Sequence, residues 1–224
     1  MTGNRILDEL PPAAQRGLQK LVIGLTAGAE VLAPGERITH VLFPTSAICS
    51  LVVELDSGDK AESATVGSDG FVGVPLVLGA SVSDVRGVVE IGGEAYRLPA
   101  KTVLELCADH DVFRRALFGY SAFRLHLASR TLACNSFHSI LQRMARWLLF
   151  LHDRLGRRDL RLTHERLSSM LAATRPRVSQ AAARLKGDGI IDYRRGSIRI
   201  LDRVRLEAIA CECYGQTRRL YPVS

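Results

Sequence analysis

Arg175, Arg177, Ser179, Gln180 and Arg184 fall within three helical turns of one another, and Arg194 and Arg195 follow at the tip of a short turn. These side chains suit a polyanion with readable edges. Arginine pairs bidentately with guanine O6 and N7, and glutamine with adenine N6 and N7. Serine and further arginines suit phosphate oxygens. Arg175, Ser179 and Gln180 are therefore assigned to base edges, and Arg177, Arg184, Arg194, Arg195 and Thr163 to phosphates. A solvated basic face on an ordinary helical hairpin carries the same residue types, so the assignment depends on the elements that position them.

Those elements are legible. Thr163 is a good N-cap with Glu165 in the first turn, and Leu167, Met170 and Leu171 recur at helical spacing. Ala172-Ala173 is a small-residue turn. Thr174 is placed to cap a second helix, with Pro176 in its first turn, where proline costs little. Val178, Ala182 and Leu185 form the inward stripe, and Gly187-Asp188-Gly189 ends the helix. Ile190–Tyr193 and Ile198–Leu201 are apolar runs joined by Arg194-Arg195-Gly196-Ser197, a hairpin with a basic tip. Helix, tight turn, helix and basic hairpin in that order spell a winged helix-turn-helix, a unit that lays its second helix in the DNA major groove.

Charge is divided along the chain. Residues 1–108 hold 8 Lys/Arg against 13 Asp/Glu, net −5; residues 109–139 are net +2; residues 140–224 hold 18 against 8, net +10. DNA repels the first part and attracts the last. Seventeen of the 18 C-terminal basic residues are arginine, which favours bidentate contacts over a point charge. A basic membrane-surface helix needs bulky apolar residues opposite its charges, and the alanine-rich 180–185 stretch is a poor match. With no signal-like start and no apolar run of about 18 residues, the expectation is a cytoplasmic protein without membrane contact.

From Cys134 onward the sequence resembles the Crp–Fnr family of bacterial transcription regulators. The run Cys134–Leu149 is similar to that family's linker and domain-opening helix, and Ile200–Leu206 to its exit from the wing. Arg175 and Ser179 match the family's recognition helix, whereas Pro176 replaces a usual glutamate and Gln180 a usual arginine. The family's usual half-site therefore does not carry over. The resemblance implies an α+β chain: an N-terminal β jelly-roll barrel of the cyclic-nucleotide-binding type at 1–108, a dimerisation helix at 109–135, and the winged domain at 136–224. It implies double-stranded DNA and a second copy of the chain as partners, with RNA polymerase a further candidate.

The N-terminal pattern agrees with a barrel. Short apolar runs, among them Val41–Phe43, Ile48–Leu55, Phe71–Leu78, Val85–Ile91 and Ala95–Leu98, read as strands, with Asp56–Asp59 a hairpin turn. Ile6–Leu25 reads mainly as helical. Nucleotide-binding members of the family carry a Gly-Glu pair for ribose and an arginine for the cyclic phosphate. Here Gly73 is followed by Val74, and Ser83 falls near the arginine position with Arg86 three residues on. Valine accepts no ribose hydrogen bond, and a buried phosphate needs a cationic partner. Cyclic AMP bound in the usual way is not expected. Gly73, Val74, Ser83, Arg86 and Ser129 are the candidate effector pocket, its ligand unnamed. A rearranged cyclic-nucleotide site, a ligand-independent barrel and a nucleic-acid binder without operator choice stay open as alternatives.

Asp109–Asn135 reads as one proline-free helix. Phe113, Leu117, Tyr120, Arg124, Leu127 and Thr131 recur at alternating four- and three-residue steps and are the expected dimer seam. A helix packed only on its own barrel gives the same stripe. Five scattered cysteines imply reduced thiols; Cys211-Glu212-Cys213 lacks a second pair, so no metal site and no cofactor are expected. No GxSxG, HExxH or paired-carboxylate pattern occurs, and no catalytic residues are assigned.

Overall fold

In the computed structural model, residues 1–156, 159–162, 164–194 and 196–220 are described. The chain divides into two compact units: Met1–Glu54 with Ser63–Leu125, and Leu55–Glu62 with His126–Ser224.

The first unit opens with α1 (Pro12–Leu18), begun by Pro12 in the first turn. Strands β1 (Val22–Leu25), β2 (Glu30–Leu32), β3 (His40–Pro44), β4 (Ile48–Glu54) and β5 (Lys60–Val66) follow, then α2 (Val74–Val77), β6 (Arg86–Ile91) and β7 (Gly93–Pro99). The strands make two sheets, ordered β1-β7-β3 and β2-β6-β4-β5. Pairing is antiparallel, with Val41 opposite Leu98 and Phe43 opposite Tyr96. Val41, Phe43, Ile48, Phe71, Val89 and Leu98 fill the core, with the Phe43 and Phe71 rings stacked at 5.6 Å. Two expectations are corrected here. Val22–Leu25 is strand, not helix, because it pairs with Gly93–Tyr96. Phe71–Leu78 is not a strand. Only Val72 bridges to Leu42, and Gly73 (φ 117°) then turns the chain into α2, where Pro75 cannot serve a strand ladder.

After β7 come α3 (Ala100–Asp109) and α4 (Asp111–Phe137). The long helix thus starts after a break at His110, whose extended backbone ends α3. Phe113, Leu117 and Tyr120 are fully buried. Phe113 meets Phe43 at 6.3 Å and Tyr120 meets Phe71 at 5.1 Å. A Cβ on Gly70 would lie 2.2 Å from the Tyr120 ring, so that ring rests on bare backbone. The expected dimer seam is therefore corrected at these three residues. They already lack solvent contact in a single chain, because aromatic side chains gain most by closing their own barrel. Leu127 is buried in the second unit, and Arg124 and Thr131 are half-buried. The opposite side of α4 exposes Phe118, Leu125 and Leu132.

The second unit is built on α5 (Ile140–Leu155). A capping box of Ser139 and Gln142 starts it and left-handed Gly156 stops it. Its Met144, Trp147, Leu148 and Leu151 are buried. Strand β8 (Asp159–Arg161), α6 (His164–Met170), α7 (Arg175–Gly187), β9 (Ile191–Arg194) and β10 (Ser197–Ile200) follow, then α8 (Arg203–Ile209) and α9 (Cys213–Leu220). The small sheet runs β8-β10-β9, and α5 packs on α7 and α8.

Candidate nucleic-acid interface

α6 and α7 meet at a turn in which Ala172 takes φ 44° and the Ala173 N–H donates to Ser168 O. Thr174 occupies the N-cap of α7 with extended backbone but makes no side-chain capping bond. Pro176 at the second helical position has no N–H to donate, which removes one of the two usual capping donors. Val178, Ala181, Ala182 and Leu185 are buried. At about 100° per residue, the face opposite that stripe centres on Pro176, Gln180 and Ala183. Arg175 and Ser179 flank it on one side, Arg177 and Arg184 on the other. Arg175, Arg177, Gln180 and Arg184 are exposed and Ser179 is half-buried.

The wing is tied to the end of this helix. Lys186 Nζ donates to Tyr193 O at 2.9 Å and pairs with Asp192 at 3.2 Å, while Arg194 Nε meets the same carboxylate at 2.9 Å. The Lys186 hydrogen bond, with Arg194 beside it, holds the Asp192 carboxyl below the ordinary range. Arg184 Nε meets Asp188 at 2.9 Å. Arg184 and Arg194 remain 72% and 81% exposed, so both guanidinium heads stay in solvent. Thr163 and Arg195 lie outside the described residues.

Two supports were not legible in the sequence. Arg143 on α5 is buried, and its guanidinium donates to Leu171 O, at the turn before α7, and to Asn135 O on α4 at 3.1 Å. Burial pushes its pKa down. Arg203 on α8 bonds Asp153 at 2.8 Å and the Tyr214 hydroxyl at 2.7 Å, and that hydroxyl donates to Asp153 at 2.7 Å. Burial, then the Asp153 bond, raises Tyr214 to about 12. A cation with a distant carbonyl or hydroxyl partner leaves no local spacing signal.

The candidate effector residues are placed differently. Gly73 is the left-handed N-cap of α2 and Val74 its first residue. Ser83 is buried, and its hydroxyl is engaged by the Val85 backbone. Arg86 pairs with Glu30 and with Glu54, so its charge is already committed to carboxylates. Ser129 belongs to the second unit. No described helix is long and apolar enough to cross a membrane.

A helix pair, a tight turn and a basic hairpin define a winged helix-turn-helix DNA-binding protein with an antiparallel β-sheet unit ahead of it. Residues 142–209 match the Crp-like helix-turn-helix domain family. The fold is similar to that of FixK2 from Bradyrhizobium japonicum (16% identity, TM-score 0.74, 85% of this chain and 96% of that one). It is also similar to a crp/fnr family transcriptional regulator from Eubacterium rectale (18%, 0.71, 93% and 99%). A third similar fold is the c-di-GMP responsive global regulator CLP of Xanthomonas campestris (18%, 0.66, 80% and 92%). No curated protein matches the chain in sequence. Residues 142–209 thus carry a Crp-like helix-turn-helix domain, and the chain as a whole has the fold of Crp/Fnr regulators.

Proposed function

We propose that the protein is a homodimeric regulator that reads a palindromic operator with α7 and clamps the flanking backbone with the wing. The observation that carries this reading is the exposed face of α7. Gln180 sits at its centre, arginines stand on both flanks, and Arg194 extends the basic surface onto the wing. Glutamine and arginine supply base-edge contacts, and the wing arginine supplies a phosphate contact.

Dimerisation follows from α4. Phe118, Leu125 and Leu132 recur every seven residues on its exposed side, with Ala122 and Ser129 between them at four- and three-residue steps. That is a seam for a second copy. Two recognition helices about one DNA turn apart then read two half-sites. The N-terminal unit carries a signal other than cyclic AMP bound in the usual way, because Val74 and the carboxylate-paired Arg86 replace the expected anchors. A protein of similar fold is described as c-di-GMP responsive, which supports a signal other than cyclic AMP. Contact with RNA polymerase would accompany an activating role.

The test is selection of genomic fragments by the purified protein, without added ligand, near physiological salt. A palindromic motif with half-sites about one turn apart is expected. Sequence-blind, salt-sensitive binding without such a motif would overturn operator reading by the ligand-free protein.

A further inference from the structure

Cys134, His138, Cys211 and Cys213 come together in the second unit, where one ligand atom from each lies within 4.8 Å of all the others. Cys134 and His138 are one turn apart on and just beyond α4, and the cysteine pair sits at the start of α9. The Cys134 and Cys211 sulfurs are 3.5 Å apart, and Cys213 Sγ is 3.8 Å from His138 Nδ1. A tetrahedral zinc with Zn–S of about 2.3 Å sets its ligand atoms roughly 3.5–3.8 Å apart. A polynuclear iron–sulfur cluster, whose thiolates bind different irons, needs wider spacing. We propose that Cys134, Cys211 and Cys213, as thiolates, and His138 through Nδ1 bind one Zn2+ that staples the end of α4 to the start of α9.

Three buried thiols alone would also make a plain apolar contact. Two features point beyond that. The first is the histidine. Its Nε2 lies 3.2 Å from the Glu212 carboxylate, so Nε2 carries the proton and Nδ1 presents its lone pair to the sulfurs. A ligand histidine held by an outer carboxylate is the usual arrangement around zinc. The second is Arg146, which is 7% exposed and has a buried Nε without a hydrogen-bond partner. Among the described residues no carboxylate pairs with it; the Phe150 ring lies 5.8 Å away. Its guanidinium acts electrostatically on all three cysteines. Zinc binding releases the thiol protons of Cys134, Cys211 and Cys213 to solvent. Three thiolates, a neutral imidazole and Zn2+ leave one net negative charge, and Arg146 is the buried cation that balances it.

The test uses the full chain, purified reduced, stripped with chelator and reloaded with zinc or cobalt. One zinc per chain is expected, and Co2+ gives thiolate charge-transfer bands with the visible bands of a tetrahedral site. Cys213→Ser loses the site. Glu212→Gln, at a largely exposed position, weakens zinc by about 10–100-fold in chelator competition. Absence of bound zinc in the wild type, a Cys134–Cys211 disulfide in its place, or cobalt bands unchanged in Cys213→Ser would overturn the assignment.

Discussion

Replacing Leu125 and Leu132 together by glutamate separates assembly from folding. The two leucines are 68% and 72% exposed on the isolated chain. Fully burying a leucine contributes about 1.5–3 kcal/mol, so covering these fractions contributes roughly 1–2 kcal/mol per side chain. Two leucines on each of two protomers give about 4–8 kcal/mol per dimer. Association itself costs about 4–15 kcal/mol, so the loss decides whether a dimer persists. Loss of about 4 kcal/mol alone weakens the dimer roughly 1000-fold, and carboxylates meeting across a two-fold axis add repulsion. Sedimentation equilibrium should move from twice the 24.5 kDa chain mass to the single mass. The unfolding midpoint extrapolated to low protein concentration should hold, since neither side chain fills a core. Affinity for a full palindrome should collapse while half-site binding survives. A variant that stays dimeric at micromolar concentration would refute the assignment of this face. The complementary change, Leu117→Ala, should unfold the first unit instead, at a cost of about 2–5 kcal/mol.

Arg175→Ala should cost about 1–3 kcal/mol of operator affinity and relax preference at one base position, read by selection from a randomised site. Arg194→Ala should weaken all sequences alike and flatten the salt dependence; identical behaviour of the two would refute their separate roles. Asp192 is held below the ordinary carboxylate range by Lys186, so its contribution is present above the unfolded-state pKa and lost as pH falls through the lowered folded one. Asp192→Asn should therefore melt earlier than wild type at pH 7, and the two should converge in strong acid. Tyr214→Phe removes a hydroxyl that bonds both Asp153 and Arg203. It should cost about 1–3 kcal/mol in denaturant unfolding and leave operator preference unchanged.

The DNA-binding unit was legible because its signals are local. Proline at a helix start, alanines at a tight turn and glycines at a stop each act within a few residues. The N-terminal strands were legible for the same reason, except at Val22–Leu25, whose strand depends on pairing with distant Gly93–Tyr96, and where Gly73 and Pro75 turned an apolar run into α2. The expected seam residues Phe113, Leu117 and Tyr120 close the barrel instead, because α4 carries two apolar stripes. Periodicity finds both, but the fit of Tyr120 on Gly70, 50 residues earlier, decides which one the barrel takes. The cysteine cluster was not legible, because the residues that join Cys211 and Cys213 lie far back in the chain: Cys134, 77 residues before Cys211, and nearby His138.

Arg143 joins two carbonyls that the chain places 36 residues apart, Asn135 O and Leu171 O. A guanidinium is planar and stiff, so it acts as a strut of fixed length rather than a tether. Displacing the last turn of α4 either pushes the bend ahead of α7 with it or breaks a charged hydrogen bond in a dry site. The recognition helix therefore has a mechanical input at the turn just ahead of it, carried by a side chain rooted on α5. Variation at position 143 would change how faithfully that input is transmitted before it changed which bases are read.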